Sequence, residues 1–188
     1  MEQIREFLDE IFVLNDMEWW MYSSKLKEVT YLKGSQLLKK GEVENEMSFI
    51  KEGIVRYYIP SEENETTFEF CFENEFCVGY DSYISREPAR YNIEALTDVT
   101  VWVISYKDLQ HLYNTTYAGN VIGRKMAELM YQIKFDRELS LLTKSAEERY
   151  LQLFKVSPNL IQNIPLKFIA SYIGVTPQAL SRIRKRIS

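Results

Sequence analysis

PLKFIASYIGVTPQALSRIRKRIS, residues Pro165 to Ser188, is the stretch from which the rest of the chain is best read. Leu166, Ile169 and Ile173 recur at helical spacing, with the small Ala170 beside them, and Gly174 then interrupts the period. Thr176 followed by Pro177 has the form of a helix N-cap and first helical residue. Two short helices pivoting on one glycine predict a helix-turn-helix, whose second helix is built to enter a DNA major groove. That second helix carries Arg182, Arg184, Lys185 and Arg186. The competing reading is a basic amphipathic tail docked on a protein surface, since charge runs are usually solvated faces. The capped start, the glycine at the turn and the apolar face of the first helix favour the helix-turn-helix.

Charge is distributed to match. From Lys144 onward eight basic side chains face two acidic ones, a balance of +6; the chain as a whole carries −4, so the preceding 143 residues carry −10. A basic module on an acidic body localises phosphate binding at one end. At 188 residues the chain has room for one or two buried cores. No apolar run reaches the ~20 residues of a membrane span. The opening MEQIREFLDEIF lacks the order of a signal peptide, so the cytoplasm is the expected compartment. Cys71 and Cys77 are expected to be reduced thiols in or near strands; two cysteines are too few for a four-thiolate cluster. A barrel metalloenzyme needs several His with a carboxylate. The one histidine, His111, has no nucleophile motif around it, so no enzyme is expected.

Upstream, residues 1 to about 30 read as helical, with Ile4, Phe7, Leu8, Ile11 and Phe12 on one stripe and Trp19, Trp20, Met21 and Leu26 in a second piece. From Tyr31 to Val103 the pattern turns to short apolar runs. Lys51-Glu52-Gly53 reads as a hairpin-type turn, and Thr97-Asp98 separates two final runs, Tyr91–Leu96 and Val99–Ile104. Many short strands predict an antiparallel, jelly-roll-like β-roll. A long helix is predicted over about Tyr117 to Leu142. On it Ile122, Met126, Leu129 and Ile133 form a two-heptad seam, read as a dimerisation surface in preference to packing on the chain's own roll. Ser145 and Glu148 have capping-box spacing for a further helix, closed by Pro158-Asn159. The expected class is α+β: residues 1–114, N-terminal helices and β-roll; 115–143, a long linking and dimerisation helix; 144–188, a small all-α DNA-binding domain.

Roll, long helix and helix-turn-helix in this order resemble the Crp/Fnr family of bacterial transcription regulators over nearly the whole chain. Leu38-Lys39-Lys40-Gly41-Glu42 is similar to that family's L-x-x-G-E turn, Phe49 to Val55 to its F-I-x-x-G-x-V segment, and Thr176 to Arg182 to its T-P-E-T-L-S-R recognition helix. The resemblance implies a dimeric regulator that binds palindromic double-stranded DNA, with RNA polymerase as a further partner and an unidentified effector sensed by the roll. Family members that bind cyclic nucleotides carry G-E-[small] and, eleven residues after the Gly, an Arg followed by a small hydroxyl residue. Gly79 and Arg90 keep that separation, but Tyr80 and Tyr91 replace the Glu and the small residue. Gly79, Tyr80, Arg90 and Tyr91 are thus the candidate effector residues, and cyclic AMP is not the expected ligand; no other cofactor is indicated. The chain also stops short of the β-hairpin wing common in the family. On the second helix Gln178, Ser181 and Arg182 share one face, Gln178 suited to adenine and Arg182 to guanine. Thr176 and Lys185 are assigned to phosphates, while Ala179, Leu180 and Ile183 face inward.

Overall fold

A computed structural model describes residues 1–61, 65–156 and 158–187. They fall into two compact units, residues 1–56 with 71–130 and residues 57–70 with 131–188.

The first unit opens with helices α1 (Glu2–Ile11) and α2 (Asp16–Ser23). Asn15 and Glu18 cap α2 reciprocally at 3.0 Å each way, which fixes its start. The helical pattern read as far as residue 30 stops earlier than expected. Strand β1 (Lys27–Tyr31) begins there, with Lys27 opposite Val103. Val29, Thr30 and Tyr31 suit a pleated surface better than a helix, and pairing along a sheet overrides the weak helical periodicity.

The roll is made by β1, β2 (Gln36–Leu38), β3 (Glu46–Glu52), β4 (Val55–Ile59), β5 (Thr66–Cys71), β6 (Phe76–Cys77), β7 (Asn92–Ala95) and β8 (Val99–Ser105). They form two four-stranded sheets, β1-β8-β3-β6 and β2-β7-β4-β5, confirming the antiparallel roll. The segment read as a hairpin-type turn is not a simple hairpin, however. Lys51-Glu52-Gly53 carries the chain from β3 in one sheet to β4 in the other, and Thr97-Asp98 carries it back from β7 to β8. The two turns meet. Gly53 has φ +104°, and a Cβ there would lie 2.5 Å from the Asp98 carbonyl oxygen. Only glycine tolerates both that backbone and that approach. Cys71 and Cys77 lie buried in β5 and β6 and form no disulfide.

Alternation along the strands supplies the core. Val99, Val101 and Val103 are buried between the partly exposed Thr100 and Trp102. Phe49 and Ile50 are fully buried. Helix α3 (Tyr80–Ser85) follows β6, and α4 (Tyr106–Thr115) and α5 (Tyr117–Thr143) follow β8. Ile4, Leu8, Leu109, Leu112, Ile122 and Met126 from α1, α4 and α5 pack with Met47, Phe49 and Ile104 in one cluster. Ile122 and Met126, read as half of an intermolecular seam, are therefore core residues of their own chain. Leu129 and Ile133 remain exposed. A 4, 3, 4 spacing marks an apolar face but not what covers it.

The second unit adds α6 (Ala146–Val156), α7 (Pro158–Asn163), α8 (Leu166–Tyr172) and α9 (Pro177–Ile187). Helix α6 ends at Val156, before Pro158 as expected, and Pro158 also opens the next helix, because a proline at the first helical position has no amide hydrogen bond to lose. No helix among the described residues is long and apolar enough to cross a membrane.

Candidate nucleic-acid interface

Helices α8 and α9 are built on a small core. Ile169, Ala170, Ile173 and Leu180 are at most 1 % exposed, and Phe168 and Ile183 are also buried. Phe168, not the exposed Leu166, fills the first turn of α8. The turn between them is a Schellman motif. The Val175 amide donates to the Ala170 carbonyl at 2.9 Å and the Gly174 amide to Ser171 at 3.0 Å, with Gly174 at φ +77°. Thr176 then starts α9, its hydroxyl accepting from the Ala179 amide at 3.2 Å.

With Leu180 and Ile183 turned inward, the outer face of α9 is fixed. Gln178, Ser181, Arg182 and Lys185 are exposed there at i, i+3, i+4 and i+7, and none has a side-chain hydrogen bond or ion pair among the described residues. Arg184 and Arg186 are exposed as well, and Arg186 reaches Glu147 at 2.7 Å. The three basic residues in the last turn also complement the helix dipole. Thr176 sits at the mouth of the same face. The five residues assigned to DNA from the sequence are thus on one surface of one element, with Ala179 half-buried beneath.

Supporting residues were not marked by any local pattern. The Arg149 guanidinium donates to the carbonyls of Ile173 at 2.9 Å and Lys144 at 2.5 Å. Arg137 donates to the Tyr172 carbonyl at 2.8 Å and lies 3.9 Å over its ring. These two arginines satisfy carbonyls at the end of α8 that the helix leaves without partners. Ser171 accepts from the Thr67 amide at 2.8 Å. The expected cap of α6 forms as well, with Ser145 and Glu148 bonded both ways at 2.7 and 3.2 Å. Those bonds hold the Glu148 carboxyl below its usual range.

In the first unit the structure brings Gly79, Tyr80, Arg90 and Tyr91 around Asp81, but not as an anion cradle. The Gly79 amide donates to the Glu44 carboxylate at 3.0 Å. Arg90, largely exposed, lies 3.5 Å from Asp81, and the Tyr91 hydroxyl donates to the same carboxylate. A Cβ on Gly79 would meet Leu38 at 2.5 Å. The Gly79 amide is thus taken by the chain's own Glu44 carboxylate, and Asp81 accepts from both Arg90 and Tyr91.

Glu44 is buried, and burial raises its pKa against the opposing effect of amides from Gly79, Glu46 and Asn45. Its folded-state pKa lies above the unfolded value, so its contribution is fully present below the unfolded pKa and is lost as pH rises through the folded one. Glu44→Gln keeps an acceptor but removes the charge. The variant is therefore expected to gain stability relative to the parent as pH rises from 4 to 7, read as the difference between their melting temperatures across that range. A constant difference would show that Glu44 ionisation costs the fold nothing.

Residues 28–116 match the cyclic nucleotide-binding domain family model. With the helical pair that follows, the class defined is a cyclic nucleotide-binding-type roll followed in the chain by a helix-turn-helix. No curated protein sequence matches the chain. Among solved structures it is similar to FixK2 from Bradyrhizobium japonicum, at 19 % identity and TM-score 0.71 over 86 % of this chain and 84 % of that one. A protein described as a Crp/Fnr-family transcriptional regulator from Eubacterium rectale matches at 20 % identity and TM-score 0.72, over 93 % and 83 %. The catabolite activator protein of Thermus thermophilus matches at 17 % and 0.60, over 96 % and 86 %. At identities of 17 to 20 %, these likenesses show that the chain shares the fold of those structures.

Proposed function

We propose that this protein is a sequence-specific, double-stranded-DNA-binding transcription regulator of Crp/Fnr type. The observation that carries the reading is the outer face of α9, where Gln178, Ser181, Arg182 and Lys185 are exposed and uncommitted while Leu180 and Ile183 anchor the helix from behind. Gln178, Ser181 and Arg182 enter the groove, with Gln178 and Arg182 reading base edges; Thr176 and Lys185 fix the register on the backbone. The protein acts as a homodimer on a palindrome, with the dimer face on the second half of α5. Leu129 and Ile133 continue there, Tyr131, Phe135, Leu139 and Leu142 are also exposed, and Ile122 and Met126 are already used by the core. Regions 1–114, 115–143 and 144–188 serve as sensor, dimerisation helix and DNA reader. The roll senses an effector other than a cyclic nucleotide, and RNA polymerase is the further partner of such a regulator in the cytoplasm.

The test is selection of bound genomic fragments by the purified protein, followed by salt titration on the recovered sequence. A common palindromic element is expected, with log affinity falling against log salt by about 0.9 for each phosphate contacted. Recovery of random fragments, or an affinity independent of salt, would overturn the reading and leave a protein-docking tail as the better account of the same cations.

A further inference from the structure

A cleft of about 270 Å³ lies in the first unit, lined from α3, α4 and the beginning of α5. None of its lining residues comes from a strand, and only Tyr80 is shared with the Gly79–Tyr91 group. Three aromatic rings, Tyr80, Tyr83 and Tyr113, form its wall, with Tyr80 and Tyr83 nearly parallel at 8° and 6.5 Å. The exposed Ile84 extends this apolar surface at the rim. The Tyr113 ring packs directly on α5 at its glycine: a Cβ on Gly123 would come within 3.0 Å of that ring.

Polar groups are few. Gln110 and Asn120 contribute amides and Arg124 the one charged side chain; no carboxylate lines the cleft. Arg124 is more than half exposed and pairs with Glu128 at 2.6 Å. An exposed pair of this kind within one helix holds its partners weakly, so the guanidinium exchanges to another carboxylate at little cost. Tyr83 is 1 % exposed, and Gln110 lies against its hydroxyl. Burial pushes the Tyr83 hydroxyl up to about 12 and raises that of Tyr113 further, so the wall carries neutral phenols at physiological pH and repels no anion.

An aromatic wall, two amides and one cation in a small volume select a particular chemistry. Flat rings stack offset or edge-on against tyrosines, and guanidinium holds a carboxylate by two parallel hydrogen bonds. The volume lies just below the usual range for drug-sized ligands, about 300–1,000 Å³, which admits one ring or two fused rings but not a nucleotide. We propose that this cleft binds a small planar aromatic carboxylate, the ring against Tyr80 and Tyr113 and the carboxylate on Arg124. It identifies the effector class of the regulator proposed above and rests on that reading only for its effect on DNA.

The test reads binding itself, by ¹⁹F NMR of 4-fluorobenzoate with the full chain and of uncharged 4-fluorobenzyl alcohol as control. The carboxylate is expected to bind about tenfold more tightly than the alcohol, as one charge-assisted hydrogen-bonded pair implies. Arg124→Gln, a change at an exposed helical position, should abolish that preference and leave the alcohol's affinity and the melting temperature unchanged. Gly123→Leu should abolish binding of both. Equal affinity for the two probes, or a preference that survives Arg124→Gln, overturns the proposal, as does the absence of binding at millimolar probe. DNA binding is measured in parallel without ligand. Its failure would sink the regulator reading alone, and failure of the ring to bind would leave that reading standing.

Discussion

Arg182→Ala is expected to erase the protein's preference for its operator while leaving non-specific affinity nearly intact. Arg182 is exposed on the same face of α9 as Gln178, one turn away, and has no intramolecular partner among the described residues. Its guanidinium is therefore free to take guanine O6 and N7 together, a contact worth about 1–3 kcal/mol of discrimination against the wrong base. In competition gel shifts between the selected operator and a single-base mismatch, the ratio should fall by roughly 5- to 150-fold at the position Arg182 reads. Lys185 lies toward the C-terminal end of the helix, where side chains reach the backbone more readily than base edges. Lys185→Ala should weaken all sequences alike and reduce the salt slope by about one. The paired design matters because both changes remove one positive charge. A purely electrostatic tail would respond to them equally, and equal losses of specificity would show that α9 does not enter the groove.

Local chemistry explains why the helical pair was legible and the roll's connectivity was not. Gly174, Thr176 and Pro177 each act within one turn of their own position, so the αL turn and the capped start of α9 could be read from adjacent residues. Gly53 and Thr97-Asp98 also mark turns in the right places. What they connect depends on sheet partners distant in sequence, and the two turns pack on each other while strands change sheets. The sequence pattern of Lys51-Glu52-Gly53 fits a hairpin and a sheet-switching corner equally well. The α5 stripe shows the same limit. Its apolar period runs unbroken from Ile122 to Ile133, yet burial divides it between Met126 and Leu129, because the core it covers ends there. Arg137, Arg149 and Glu44 support their sites through carbonyls and amides that are remote along the chain. No spacing rule distinguishes them from surface charges. The Tyr80–Tyr113 cleft was hidden for a related reason: its rings come from two helices, and the packing of Tyr113 on α5 at Gly123 follows no local pattern.

Leu180→Ala should have the largest effect on stability, and a local one. Leu180 is 1 % exposed on α9, in the unit where Ile169 and Ile173 of the α8 side are similarly buried. Truncating a buried leucine costs about 2–5 kcal/mol, at the upper end where the surroundings cannot collapse into the space. Ala170 already leaves no larger side chain on α8 to move in, which favours the upper end. A whole domain is stabilised by only about 5–15 kcal/mol, and small units lie low in that range. The helix pair is therefore expected to open in a substantial fraction of molecules, abolishing binding to every DNA sequence at every salt concentration, unlike Arg182→Ala. Hydrogen exchange is the appropriate measurement. Amides of α8 and α9 should lose protection by orders of magnitude, while those of β3 and β8, whose core residues Phe49, Val99 and Val101 are fully buried in the first unit, should exchange as in the parent. Equal loss of protection in both places would mean that the two units unfold as one. Retained DNA binding with unchanged exchange in α9 would mean that Leu180 does not hold the reading helix in place, and the outer face from Gln178 to Lys185 would lose the anchor on which its orientation depends.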